Sequence, residues 1–244
     1  MLRFGQTHGP LRLRNVTIPG CFLDRSEDLI VTDLTILDGI ISDKGGRDVE
    51  MNRAMVLPCF VDMHTHLDKG HIWPRAANPD GTFMGALTAV GEDRAPNWSE
   101  DDDNNRMDFA LRCAFAHGTR AIRTHLDSIS PQDEISWPVF AELRDKWAGR
   151  IDLQAVSLVG CDTYEDLTVD YAPTADIAAA AGGALGLVTY PIPDLRQRII
   201  EFFELAADRD LDVDFHTDET LDLSLIHISE PTRHICLSRM PSSA

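Results

Sequence analysis

Short apolar runs broken by turn residues fill positions 10–56, where LRLRNVTI, DLIVTDLTIL, DGIISDKGG and DVEMNRAMVLP follow one another. Asp38-Gly39 and Lys44-Gly45-Gly46 stand as hairpin-type breakers, so this pattern predicts a small antiparallel β unit. Beyond it the pattern alternates between strand-like and helix-like stretches. MVLPCFVDMHTH reads as a buried strand, and residues 99–117 (SEDDDNNRMDFALRCAFAH) as a helix. Ser99 can cap its free N–H groups, the acids behind suit the positive helix end, and Gly118 ends it. Residues 120–127, 152–160, 184–193 and 211–219 read as further strands. Helices over 131–149, 174–182 and 194–210 separate them, the first with Pro138 disturbing its early turns.

Strands that alternate with helices demand a parallel sheet covered by those helices. A complete (β/α)₈ barrel takes about 250 residues, whereas roughly 160 lie between the β unit and residue 223. The two solutions are a five-stranded doubly wound sheet and a barrel cut after its fifth strand. The run from Leu223, LSLIHISEPTRHICLSRMPSSA, has no amphipathic period. Its LSLIHISEPTR resembles the translation of a transposase mosaic end joined to a sequencing adapter, and SRMPSSA the adapter's far end. That junction favours the cut barrel. The expected architecture is α/β: a partial TIM-type (β/α) barrel of strands 1–5 preceded by the antiparallel β unit. Residues 1–56 form the β unit, as part of a composite β-sandwich, residues 57–222 the truncated barrel, and residues 223–244 a non-native tail. His227, His234 and Cys236 fall in that tail.

The chain has 244 residues, with Lys+Arg 22 against Asp+Glu 40 and a net charge of −18. Such an acidic balance argues against nucleic acid and against anionic membrane surfaces as partners. No apolar run approaches the ~20 residues of a membrane span, and the N-terminus lacks the apolar stretch of a signal peptide. Five cysteines without a close pair suit reduced thiols. The expected location is the cytoplasm.

Candidate chemistry begins at His64-Thr65-His66. Residues two apart on a strand point to one side, so both imidazoles project together at the C-terminal end of the first barrel strand, where barrel enzymes place their sites. An isolated HxH pair is most often solvated or hydrogen-bonded, but this one ends an apolar run and precedes the polar turn LDKG. His216 ends the fifth strand on the same side of the sheet, which makes three imidazoles available to a metal such as Zn²⁺ or Fe²⁺. Glu219 lies just past that strand, placed to move a proton; the competing reading is a solvated loop acid. Asp62 shares the strand face as an acceptor for an imidazole, or is buried lower in the barrel with partners of its own. His125 ends the second strand, with Arg123 and Asp127 on the same face; it binds substrate, supports the site, or is an ordinary core-end histidine. Lys69 lines the pocket or is a surface charge, and Trp73 stacks on a planar ring or anchors a loop. His8, His71 and His117 read as terminus, loop and helix end, and the run Glu100–Asp103 as a solvated helix start.

LPCFVDMHTHLDKG resembles the first-strand signature of the amidohydrolase superfamily, and RTHLDS with DFHTDET resembles its cytosine-deaminase branch. The likeness covers residues 10–222 in order. It implies one divalent ion, Fe²⁺ or Zn²⁺, held by His64, His66 and His216 together with an Asp after strand eight, and Glu219 as proton carrier. It also implies a sixth-strand His beside the attacking water. That His and the Asp have no counterpart here, so the resemblance implies a truncated chain, inactive and poorly soluble as written. The implied substrate is a small amino-heterocycle, a cytosine-like pyrimidine or a triazine. Cytosine-specific members carry a Gln where this chain has LVGCD (158–162), which speaks against cytosine itself. The cyclic-amidase type of the superfamily bridges two metals with a carboxylated strand-four Lys, and ALGLVTYPIP has none. The unrelated zinc deaminase signature H-x-E with P-C-x-x-C does not occur either. A non-catalytic metal-binding or structural α/β protein is the reading from a different class. A homo-oligomer is compatible with all of these.

Overall fold

The computed structural model describes residues 9–37, 40–78 and 80–217. The chain divides into two compact units between Cys59 and Phe60. Among the described residues no helix is long and apolar enough to cross a membrane.

The first unit contains β1 (Leu11–Pro19), a 3₁₀ turn (Gly20–Leu23), β2 (Leu29–Leu37), β3 (Ile40–Ser42) and β4 (Arg47–Glu50). The sheet order is β3-β2-β1-β4. β1, β2 and β3 pair antiparallel, and β4 joins the far edge parallel to β1. Lys44-Gly45-Gly46 is therefore a crossover from one edge of the sheet to the other, not a hairpin turn. Gly46 is required there, because a Cβ would sit 2.5 Å from the Pro10 carbonyl oxygen. The Asp38-Gly39 turn lies outside the described residues. A bulge between Leu13 and Val16 places Asn15 at φ 55°, a conformation Asn tolerates. Leu13, Val16, Ile18 and Met51 form this unit's small core.

The second unit runs β5 (Phe60–Thr65), α1 (Phe83–Asn97), α2 (Glu100–Ala116), β6 (Thr119–Asp127), α3 (Gln132–Trp147), β7 (Asp152–Gly160), α4 (Leu167–Asp170), α5 (Ala172–Ala180), β8 (Leu185–Val188), α6 (Leu195–Ala207) and β9 (Val213–His216). Its sheet is parallel with order β5-β6-β7-β8-β9. Strictly sequential order has no switch point, so right-handed crossovers put every helix on one face. That is half of a barrel and not a doubly wound sheet.

α1 is absent from the sequence expectation, and its composition explains why. It presents no apolar stripe: Phe83, Met84 and Leu87 are exposed and the residue it buries is Asp93. Asp93 collects Arg75, Asn97 and the Trp98 indole N–H, at 2.8 Å each. α2 matches its expected span, and the Ser99 hydroxyl accepts from the Asp102 N–H. The acid run at its start is only partly solvated. Asp103 is fully buried and accepts from Arg106 (2.5 Å), Ser136 (2.7 Å) and Gln132 (3.1 Å), tying α2 to α3. Pro138 sits inside α3 without breaking it. The helix is held by Trp137, Phe140 and Leu143, all buried, and the Trp137 indole donates to the Ser128 hydroxyl. β8 stops at Val188, short of its expected end, before a Tyr-Pro-Ile-Pro run whose prolines have no N–H for a ladder.

Strand β7 presses closely on β8. A Cβ at Gly186 would meet the Ser157 carbonyl oxygen at 2.1 Å, inside the sheet where neither backbone can retreat. Gly186→Ala should therefore cost about 1–3 kcal/mol or more by overpacking. Gly91→Ala on α1, with nothing within 4 Å of its Cβ, should instead stabilise by roughly 0.5–1 kcal/mol. Urea unfolding of both variants beside the parent measures the two signs.

Candidate metal centre

His64 lies on β5, His66 one residue beyond that strand's end, His125 on β6 and His216 at the end of β9. β5 and β9 are the outer strands of the sheet. With neighbours ~4.8 Å apart, a flat sheet would hold them ~19 Å from one another. The His64 and His216 ring centroids are instead 4.5 Å apart, so the sheet curls until its two edges face each other at their C-terminal ends. One ring nitrogen from each of His64, His66, His125 and His216 lies within 4.8 Å of the others. The sequence reading grouped three of these; the structure adds His125.

Burial grades across the cluster. His125 and His216 are buried, His66 is half-buried and His64 is exposed, so the cluster opens to solvent on the His64 side. Nδ1 of His66, Nε2 of His125 and both nitrogens of His216 are buried without a hydrogen-bond partner. An orphaned buried polar atom costs about 1–3 kcal/mol. Four orphaned imidazole nitrogens in one place, on three rings that each have one to offer an ion, fit a metal site. Burial, with smaller effects from Lys69 and the other imidazoles, pulls His66 down to about 3. Burial, then His125 and His64, pulls His216 down to about 4. His125 is lowered as well, mainly by burial, against the opposing Asp214. His66 and His216 are thus neutral at physiological pH, the form that ligates.

The other expected site residues have different placements. Asp62 is exposed, and its Oδ1 accepts from the backbone N–H of His64 at 3.3 Å, so it caps the strand rather than orienting an imidazole. Lys69 does not project freely: its Nζ lies 2.7 Å from Asp127 Oδ1, while Arg94 takes Asp127 Oδ2 at 2.7 Å. Burial pulls the Lys69 pKa down, but Asp127 and Asp68 outweigh it and the pKa is raised. Asp68 is buried beneath this pair, accepts the Asp127 N–H at 2.7 Å, and is raised by burial and by the Asp127 charge. Trp73 is 62% exposed in the loop after β5. Glu219 lies outside the described residues. Asp214, which sequence reading missed, has Oδ1 3.3 Å from His125 Nε2. Its signal was its position two residues before His216, on the same face of β9.

No family model matches the chain. It is 47% identical over 219 residues to the pterin deaminase of Rhizobium rhizogenes strain K84, a match covering 86% of this chain and 50% of that protein. Among solved structures it is similar to N-isopropylammelide isopropylaminohydrolase from Burkholderia multivorans, at 26% identity and TM-score 0.61, over 86% of this chain and 53% of that one. The 5-methylcytosine deaminase from Klebsiella pneumoniae shares the fold at 19% identity and TM-score 0.69, over 89% of this chain and 53% of that one. The chain spans about half the length of the curated relatives it matches. By its histidine-bearing strand ends and its 47% identity to the pterin deaminase, the chain is similar to the deaminases of the amidohydrolase superfamily over the half of their length that it spans.

Proposed function

We propose that this chain contributes the histidine-bearing strands of a metal-dependent deaminase that hydrolyses an exocyclic C–N bond on a small planar amino-heterocycle. The observation that carries this reading is the convergence of unpartnered imidazole nitrogens at the C-terminal ends of a curled parallel sheet. His64, His66 and His216 would hold one divalent ion, and imidazole donors suit Zn²⁺ and Fe²⁺. Bound there, such an ion supplies Lewis-acid activation of water near neutral pH. Glu219, three residues past His216, takes a proton from the attacking water and delivers it to a ring nitrogen. Water oxygen then replaces the exocyclic amine, which leaves as ammonia. The exposed His64 side of the cluster is where a substrate approaches. The 47% identity to the pterin deaminase supports pterin-type rings as the first substrates to try, ahead of cytosine-like pyrimidines and triazine amines. The Lys69–Asp127–Arg94 network holds the turn after β5 rigidly beside the site.

The direct test measures ammonia release from pterin, cytosine and an amino-triazine by a chain extended to the full length of its relatives. Metal-loaded protein should release ammonia and chelator-treated protein should not. In that background Glu219→Gln should keep its metal and lose turnover by a factor on the order of 10² or more. Unchanged turnover removes Glu219 from the mechanism, and turnover indifferent to metal overturns the reading.

A pH dependence follows for the metal-free chain. His66 and His216 titrate at about 3 and about 4 when folded, against ~6.5 when unfolded. Below pH ~6.5 the unfolded chain binds protons that the folded chain refuses, so stability falls as pH falls. The loss approaches about 1.4 kcal/mol per pH unit for each imidazole and continues toward pH 4. Urea unfolding at pH 7.5 and 5.5 should show it, and the double variant His66→Asn/His216→Asn should flatten the slope. An equal slope in parent and variant refutes the assignment.

A further inference from the structure

We propose that Asp162, held in place by Tyr190, is the residue that selects the substrate ring, by accepting a hydrogen bond from a ring N–H of the amino-heterocycle. The inference rests on the deaminase reading above and deepens it, since it narrows the substrate to rings that carry a lactam N–H.

Register places this pair on the histidine side of the sheet. Gly160 on β7 pairs with Val188 on β8, which pairs in turn with His216 on β9. Partners in register on parallel strands point to one side, so Gly160 faces the side on which His216 meets the other imidazoles. A Cβ at Gly160 would stand 2.8 Å from Tyr190 Oη and 3.5 Å from Asp162 Oδ1. Both side chains therefore lean over that face, into room that the missing Cβ leaves. At ~4.8 Å per strand, Gly160 lies ~10 Å from His216 along the row, which leaves the width of a planar ring between them. An exocyclic amine aimed at the imidazoles turns another edge of its ring toward β7 and β8.

The backbone fixes the pair. The Cys161 N–H donates to the Val188 carbonyl at 2.9 Å, and the Thr189 N–H to the His216 carbonyl at 2.8 Å. Asp162 and Tyr190 each stand one residue past these rungs. Pro191 restricts the Tyr190 backbone to extended conformations. The Tyr190 hydroxyl donates to Asp162 Oδ1. Burial and Asp162 raise the Tyr190 pKa, so the phenol stays a donor at neutral pH. Tyr190 thus claims one oxygen, and the exposed Asp162 keeps Oδ2 for a second donor. An ionised carboxylate only accepts hydrogen bonds. A ring N–H satisfies it, whereas a carbonyl oxygen, a bare ring nitrogen or an N-methyl group does not.

The test uses the metal-loaded chain extended to the full length of its relatives. Ammonia release is followed from pterin and 3-methylpterin, and from cytosine and 1-methylcytosine. The parent should prefer the N–H form of its better substrate by about 10–100-fold in kcat/KM, the range for a hydrogen bond to a charged group. Asp162→Ala should lose about as much toward the N–H form, chiefly through KM, and treat the two forms alike at parental metal content. Tyr190→Phe, which loosens the carboxylate, should fall between the parent and Asp162→Ala in that preference. A merely structural role would slow both forms together and leave the preference intact in Asp162→Ala, and that result overturns the inference. A parent that treats the two forms alike overturns it without any variant, so a failure of Asp162→Ala to fold cannot shelter it. Turnover of melamine, an amino-triazine without a ring N–H, in place of pterin and cytosine strikes the inference alone. No ammonia from any of these rings refutes the deaminase reading itself and the role of Asp162 with it.

Discussion

The curl of one parallel sheet governs everything else in the second unit. Strand order is sequential, so β5 and β9 stand at opposite edges, and only the accumulated twist and tilt of the strands bring those edges face to face. The packing that forces the curl lies on the helix side. Trp137, Phe140 and Leu143 of α3, Met107 and Leu111 of α2, and Phe202 of α6 fill one continuous core against the strands. The concave side is then left to polar chemistry, because the imidazoles are what the inward faces of β5, β6 and β9 carry at their ends.

The centre is electrostatically expensive without a cation. Burial and mutual repulsion keep His66 and His216 uncharged, and their orphaned nitrogens forfeit hydrogen bonds that water would otherwise supply. Around this neutral floor the chain stations full charges that are themselves paired. Asp127 sits between Lys69 and Arg94, and Asp103 between Arg106, Ser136 and Gln132. A buried carboxylate that meets its cation and several donors adds rigidity to the loops it joins, whereas one left alone would be among the costliest groups in the fold. The unsatisfied imidazole nitrogens of this centre describe a pocket built for a positively charged guest.

Much of this was legible in the residues, and what was not has physical causes. Period-2 reasoning put His64 and His66 on one side of β5, and the strand–helix alternation marked β6, β7 and α2 within a residue or so of their observed ends. Closure of the sheet depends on long-range packing, so the meeting of His125 with the β5 and β9 histidines could not be read from local pattern. α1 escaped notice because it carries no apolar stripe to reveal it. Asp103 looked like a solvated helix-start acid because its burial depends on Ser136 and Gln132, some thirty positions away on α3. The edge-to-edge crossover of Gly45-Gly46 was mistaken for a hairpin because glycine pairs mark close backbone approach as readily as they mark turns.

The account's central claim is that these converging imidazoles hold a metal ion. It is tested most directly by elemental analysis of the chain after loading with Zn²⁺ or Fe²⁺ and exhaustive desalting. The account predicts about one ion per chain, falling to background in the triple variant His64→Asn/His66→Asn/His216→Asn with its circular dichroism retained. No uptake by the parent, or equal uptake by the triple variant, would contradict it.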